Sequence, residues 1–311
     1  MTPSPPVIFL MGPTASGKTD IALGLTRHLP CDIISVDSAM IYRGMDIGSA
    51  KPGPEILKET PHRLIDICDP SETYSAARFR MDALHEIEDI LNKGRIPLLV
   101  GGTMLYFRAL EKGLSHLPQA DKGVREQLED EARNNGWTAL HVRLKGIDPV
   151  AAERIHPNDP QRIQRALEVY ELTGRTLTEL IEQDPDKGLP FEVIKLIISP
   201  NDRAELHKRI ERRFYDMLQR GFINEVETLY KRGNLSVDLP SMRCVGYRQL
   251  GEYLDDKYDY DEAVNRGIYA TRQLAKRQLT WSRSQDDAKW LDGADKNVMN
   301  KILNTVVNAT I

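Results

Sequence analysis

Eight residues near the start of the chain have types and spacing that suit one kind of chemistry. Gly12-Pro13-Thr14-Ala15-Ser16-Gly17-Lys18-Thr19 is a G-x-x-x-x-G-K-[ST] loop. It follows a short apolar run, Val7 to Met11, and precedes a helical stretch from about Lys18 to Leu29. Glycines let such a loop wrap with its N–H groups turned inward, and the following helix adds the positive end of its dipole. Lys18 supplies a point charge for a terminal phosphate, and the Thr19 hydroxyl suits Mg²⁺. The loop binds a chain of phosphates without saying what carries them. Taken alone it is a nucleotide-binding signal, and would be called an ATP site.

Two more segments end apolar runs in the same way. Val36-Asp37-Ser38 closes the run Asp32 to Val36. Ligands of open α/β sheets sit beyond the carboxyl ends of the strands, so Asp37 is expected to face the phosphate site. There it is a Mg²⁺ ligand or a general base, or else a turn or helix cap. Gly101-Gly102-Thr103 closes the run Ile96 to Val100. Its glycines permit close backbone approach and Thr103 offers a hydroxyl to substrate, unless the segment is only a tight strand-to-helix turn.

The elements that must position these residues follow from periodicity. Asp32–Val36 predicts a second strand, Arg63–Ile67 a third and Ile96–Val100 a fourth. Ser75–Asn92 has helical spacing, with Phe79, Leu84, Ile87, Ile90 and Leu91 as its apolar set and Gly94 as its stop. Continuous apolar strands separated by helices predict an α/β fold: a parallel sheet of the P-loop NTPase kind, covered by helices. Near Ser115 the chain turns charged and helical. Arg125–Asn134 is one expected helix; Asn158-Asp159-Pro160 starts another, over Gln161–Thr173, which Gly174 stops. Val193–Ile198 is a further strand, followed by mainly helical sequence. The predicted organisation is a core of residues 1–115 and 191–311 with an all-helical domain, 116–190, inserted in it.

Composition excludes several classes. With 311 residues, 41% hydrophobic and 28% charged, the chain is neither disordered nor fibrous. No run approaches the roughly 18 apolar residues of a membrane helix, and Met1–Pro6 carries no basic residue of a signal peptide. Cys31, Cys68 and Cys244 fit neither a disulfide framework nor a zinc module, so a reducing cytoplasm is the expected setting. The net charge of −4 argues against a protein that coats nucleic acid non-specifically. A local basic surface is nevertheless present. Between Arg266 and Arg283 there are five basic residues and no acidic one. At about 100° per residue, Arg272, Lys276 and Arg283 fall on one side of a helix, as a phosphate-contact stripe would. In the helix from Gln161, Ile163, Leu167 and Tyr170 form the buried face, with Gln161 and Arg165 opposite. Met81, Trp281 and Tyr269 are expected in the core. His62, His116 and His156 lack ligand spacing and are expected to be structural or on the surface.

Several segments together resemble one family, the tRNA dimethylallyltransferases, also called tRNA isopentenyltransferases. They are Gly12–Thr19, Asp37–Pro52, Pro61–Leu64, Gly101–Tyr106, His156–Arg162, Arg243–Arg248 and Ala270–Gln278. The block Asp37-Ser38-Ala39-Met40-Ile41-Tyr42-Arg43-Gly44-Met45-Asp46-Ile47-Gly48-Ser49-Ala50-Lys51-Pro52 is the most specific, although Met40 and Ser49 replace the family's usual Gln or Leu and Thr. The resemblance implies transfer of a dimethylallyl group from dimethylallyl diphosphate to N6 of the adenosine at tRNA position 37. It implies that Gly12–Thr19 holds diphosphate, with Lys18 and a Mg²⁺ on Thr19 offsetting its charge. It makes Asp37 the base that takes the N6 proton, with Thr103 beside it. Arg213, in the expected helix His207–Arg213, becomes a second diphosphate clamp. The tRNA anticodon arm would meet Asp37, Ser38, Ala39, Met40 and Thr103, then Arg125, Gln161, Arg162, Ile163, Gln164 and Arg165. It would also meet Arg243, Cys244, Val245, Gly246, Tyr247 and Arg248, and the stripe of Arg272, Lys276 and Arg283. Reaction at an exocyclic amine calls for a flipped adenine and a pocket to receive it. No Cys/His pattern follows Cys244, so the zinc-finger extension of some eukaryotic relatives is not expected and the bacterial form fits; a cytoplasmic monomer without contact to membrane is the expected setting.

Two other readings use part of this pattern. A small-molecule P-loop kinase shares the phosphate loop and a strand-end Asp, but does not need the acid-free run 266–283 or the block Asp37–Pro52. A non-catalytic tRNA-binding module leaves the intact phosphate loop unexplained.

Overall fold

Val7–Met11 is buried along its whole length, which a strand achieves only in the middle of a sheet covered on both faces. A computed structural model describes residues 5–115, 117–183 and 188–309. His116, residues 1–4 and residues 184–187, about which expectations were stated above, lie outside the described residues. The chain divides into two compact units, Met1–Glu111 with Leu189–Ile311, and Lys112–Gly188.

The first unit opens with β1 (Val7–Met11), α1 (Lys18–His28), β2 (Cys31–Val36), α2 (Pro54–Glu59), β3 (His62–Arg63), α3 (Ala76–Asn92), β4 (Ile96–Gly101) and α4 (Met104–Lys112). The second unit holds α5 (Lys122–Asn135), α6 (Trp137–Ile147), α7 (Pro149–Arg154), α8 (Pro160–Thr173) and α9 (Leu177–Gln183). The first unit resumes with β5 (Val193–Ile198), α10 (Arg203–Gln219), α11 (Phe222–Lys231), α12 (Tyr247–Leu254), α13 (Tyr260–Ser282), β6 (Lys289–Leu291) and α14 (Val298–Ala309).

The six strands form one sheet in the order β3-β2-β4-β1-β5-β6, and every pairing is parallel. One face packs Phe9, Met11, Ile34 and Leu99 beneath α3 and α4; the other packs Ile8, Leu10, Ile33 and Leu98 against α1 and α14. Register decides where the strands end. Met11 lies beside Gly101, and Gly101 beside Val36, so three adjacent strands stop at one level. The next residues are Gly12, Gly102 and Asp37.

Two expectations change, and one strand is new. The third strand is His62–Arg63 only, because Leu64 (φ 59) and Asp66 (φ 56) are left-handed and turn the chain out of the sheet. β6 is an edge strand of three residues whose Lys289 and Trp290 are exposed, too short for an alternation to register in the sequence. Met81 (65% exposed) and Tyr269 (64%) are on the surface rather than in the core: each sits on the outward side of a helix whose apolar set faces the other way.

Candidate active site at the strand ends

The loop Gly12–Thr19 leaves β1 at the centre of the sheet. A Cβ on Gly12 would overlap the carbonyl of Ile198 at the end of β5, so only glycine lets the chain turn here. Ala15, left-handed at φ 62, packs on the small apolar cluster of Leu206, Ile210, Ala275 and Leu279 from α10 and α13. Gly17 caps α1, whose first residues are Lys18 and Thr19.

Lys18 keeps some surface toward solvent, but its ammonium is turned inward. It donates to the Pro13 carbonyl (2.7 Å) and to Ser16 Oγ (3.4 Å). Burial brings its pKa down to about 7; the positive Arg213 pushes the same way and Asp37 opposes. Arg213 lies on α10 on the same side as the buried Leu206, Ile210 and Phe214. Burial lowers its pKa as well, again opposed by Asp37. Among the described residues no ion pair joins Lys18, Arg213 and Asp37, although each is within electrostatic reach of the others.

Asp37 accepts from the backbone N–H groups of Ala39 (2.9 Å) and Met40 (3.4 Å), both through Oδ1. Among the described residues no hydrogen bond is made to its Oδ2. Thr103, expected to meet substrate, is already engaged: its Oγ1 accepts from the Ser38 N–H (3.0 Å) and donates to Ser38 Oγ (3.4 Å). It braces the Asp37 corner. Cys244 stands near the same carboxylate. Burial raises its thiol to about 12, with Asp37 adding to the shift, so it stays protonated.

The segment after Asp37 is held by two charges that sequence reasoning did not single out as site residues. Lys51, 6% exposed, donates to the Tyr42 carbonyl (2.9 Å), Asp46 (2.5 Å) and Asp66 (2.6 Å). Glu225 on α11 accepts from the N–H groups of Asp46, Ile47 and Gly48 (2.9, 2.7 and 3.0 Å) and from the Tyr247 hydroxyl (2.6 Å). Gln278 on α13 was likewise part of a motif but not of the expected site; it bonds to both Thr14 and Gly102.

The donor set suits a hard divalent cation. Thr19 presents an exposed hydroxyl on the first turn of α1, and no group of three His, Cys, Asp or Glu side chains among the described residues could hold a metal unaided. Mg²⁺ characteristically takes one or two protein oxygens and completes its shell with substrate phosphates and water.

A family model described as IPP transferase matches residues 40–285. The chain belongs to the IPP transferase family. It is accordingly a transferase, and a prenyltransferase by class. A tRNA isopentenylpyrophosphate transferase from Bacillus halodurans is 37% identical, with 98% of this chain and 96% of that one covered at a TM-score of 0.73. A tRNA delta(2)-isopentenylpyrophosphate transferase from Staphylococcus epidermidis is 32% identical over 99% and 100% of the two chains, TM-score 0.70. A eukaryotic dimethylallyltransferase, crystallised acting on tRNA, is 26% identical over 98% of this chain and 80% of that one, TM-score 0.81. The expected fold class and family therefore hold.

In this IPP transferase the residues expected to meet tRNA divide by burial. Ser38, Arg243, Arg248, Lys276 and Arg283 are exposed in the first unit, and Gln161 and Arg162 in the second; Ala39, Met40, Val245 and Cys244 are half-buried. Arg272 is half-buried and pairs with Glu211 (2.7 Å). Two expectations fail on burial. Ile163 is fully enclosed in the core of the second unit with Leu128, Leu140 and Leu144. Tyr247 is fully enclosed against Phe222, its hydroxyl spent on Glu225. Neither side chain offers a surface to RNA; Gly246 is buried beside Tyr247. Arg125 and Arg165 turn to Glu168 (2.8 and 2.6 Å), and Gln164 to Glu129 (3.0 Å) and the Arg125 carbonyl (3.3 Å). No described helix is long and apolar enough to cross a membrane.

Proposed function

We propose that this prenyltransferase moves a dimethylallyl group from dimethylallyl diphosphate to N6 of the adenosine at position 37 of tRNA. The observation that carries this reading is the common level of Met11, Gly101 and Val36 across three adjacent strands. With strands about 4.8 Å apart, the phosphate loop and Asp37 leave the sheet about 10 Å from each other. That spacing suits an allylic diphosphate on one side and an acceptor amine on the other.

The loop amides, Lys18 and Arg213 hold the two phosphates and meet the negative charge that grows as the allylic C–O bond breaks. N6 of the adenine forms the new C–N bond, diphosphate leaves, and Asp37 Oδ2 takes the proton that N6 loses. Thr103 and Ser38 keep that carboxylate oriented. A divalent cation, Mg²⁺, would sit on the Thr19 hydroxyl and the substrate's phosphates and add positive charge there. Exposed Ser38, Arg243 and Arg248, the stripe of Lys276 and Arg283, and Gln161 and Arg162 of the helical unit contact the anticodon arm. The enzyme works as a cytoplasmic monomer.

A kinase would use the same loop. It is disfavoured because a kinase would need neither the acid-free run 266–283 nor the block Asp37–Pro52, and because the chain belongs to the IPP transferase family. The test is direct. Purified protein, labelled dimethylallyl diphosphate, Mg²⁺ and unmodified tRNA should yield prenylated tRNA and diphosphate in equal amounts, with no nucleoside triphosphate present. A requirement for ATP, or its consumption in step with product, would overturn the reading.

A further inference from the structure

Gln278 has 9% of its surface exposed, and its carboxamide joins two segments that lie far from it in sequence. Oε1 accepts from the Thr14 N–H of the phosphate loop (2.9 Å), and Nε2 donates to the Gly102 carbonyl at the end of β4 (2.9 Å). A Cβ at Gly102 would collide with that same Nε2, so the glycine makes the room the amide occupies. The next residue, Thr103, binds Ser38, and Ser38 follows Asp37. One carboxamide thus ties the loop that grips the leaving group to the turn that braces the base. It also occupies the Thr14 N–H before any phosphate arrives, which fixes which loop amides remain for the ligand.

An amide is the side chain that suits this place, because it has an acceptor and a donor at one branch point. A carboxylate of the same shape would accept from Thr14 but repel the Gly102 oxygen. We propose that Gln278 is a positioning residue that sets the spacing between the diphosphate-holding loop and Asp37. The proposal rests on the prenyl transfer argued above. Misplacement of reacting groups by about 1 Å can cost on the order of 10²-fold in rate, so the spacing should appear in kcat.

The experiment uses the full chain with dimethylallyl diphosphate and unmodified tRNA between pH 6 and 8.5. Gln278→Glu keeps the shape. At pH 8.5 its kcat should fall about 30-fold. Protonation of the new acid restores a donor toward Gly102, so the deficit relative to wild type should shrink at least about fivefold by pH 6. Gln278→Met fills the same space without either bond or any charge; it should show the deficit with no recovery in acid, while its Kd for inorganic diphosphate stays within about threefold of wild type. The proposal is overturned by a wild-type kcat in either variant, by a Glu deficit that does not change with pH, or by an equal loss of kcat and diphosphate affinity in Gln278→Met, which would mean that the loop itself had collapsed. Wild-type protein in the same assay separates the two claims. No product from wild type refutes the reaction; an active wild type with an unaffected Gln278→Glu refutes only the positioning role.

Discussion

Two clusters of charge, one in each unit, are built on opposite terms. In the helical unit Glu168 is fully buried and its needs are met: Arg125 and Arg165 pair with its two oxygens, and the Asp121 N–H adds a third donor (2.9 Å). Burial alone would raise its pKa, but these donors win and the net shift is downward. At the strand ends of the first unit, Lys18, Arg213 and Asp37 lie within electrostatic reach without pairing, and burial weakens the hold of both cations on their protons. A buried charge paired with a counter-charge supports a fold; one left without a counter-charge is kept available for a ligand, at a cost that the rest of the fold must carry. The difference separates a structural cluster from a site without reference to any relative.

The largest effect should come from removing the base. Asp37→Asn keeps the corner's shape but cannot accept a proton, so turnover should drop by roughly 10² to 10⁴ with tRNA binding largely retained. Turnover near that of wild type would show that the carboxylate is only a turn cap.

Lys18→Ala should cost about 10² to 10³ in turnover by removing charge from the leaving diphosphate, while its melting temperature at or below pH 7 should hold level or rise because a buried charge is removed. The depressed pKa of Lys18 makes stability rise with pH and diphosphate affinity fall with it. A lysine that titrates near 7 folded and at 10.5 unfolded opposes folding fully below about 7, and that penalty fades as pH rises from 7 to 10.5. Diphosphate prefers the charged form, so its binding should take up a proton at pH 8. The affinity of wild type should fall more steeply above pH 7 than that of Lys18→Arg, which stays charged; parallel slopes would place the titration elsewhere.

The satisfied cluster should respond in stability rather than turnover. Glu168→Gln should cost about 2 kcal/mol in urea unfolding, since it weakens charge-assisted bonds to two arginines that can still turn partly to water. Its downward-shifted pKa means that Glu168 contributes stability above its unfolded value of about 4.5, which is lost as pH falls through the folded value. Wild type should lose that increment in acid and the variant should not. Unchanged diphosphate binding in the variant would sharpen the contrast; a matching loss would blur it.

The smallest effect concerns the exposed stripe. Substituting Lys276 and Arg283 together should reduce the salt dependence of tRNA binding by about 0.7 to 0.9 in log–log slope for each lost phosphate contact. Arg272, paired with Glu211, should add less than either. An unchanged slope would return the stripe to ordinary solvated surface.

Burial is the point at which sequence reading of the site fell short. Ile163 and Tyr247 stand in segments that also hold exposed cations, Arg162 and Arg248, and a segment does not say which of its members face inward. The phosphate loop and Asp37 were legible because they depend on neighbours in sequence: glycines within one loop, a carboxylate one residue past a strand. Gln278 and Glu225 were not, since each acts on backbone groups more than 170 residues away. Nothing local distinguishes Gln278 from a surface glutamine, or Glu225 from a solvated acid on a helix.

Local chemistry by itself determined a good deal of this protein. Apolar runs such as Val7–Met11 and Ile96–Val100 pointed to buried parallel strands, and G-x-x-x-x-G-K-T between a strand and a helix to a phosphate loop. These follow from period, turn geometry and residue volume, which act over a few residues. Strand order, the common level of Met11, Gly101 and Val36, the left-handed turn that shortens β3 at Leu64, and the partner of each buried charge were decided by tertiary structure alone. They depend on which surfaces meet once the chain collapses, and burial makes any polar group there find a partner or pay for its absence.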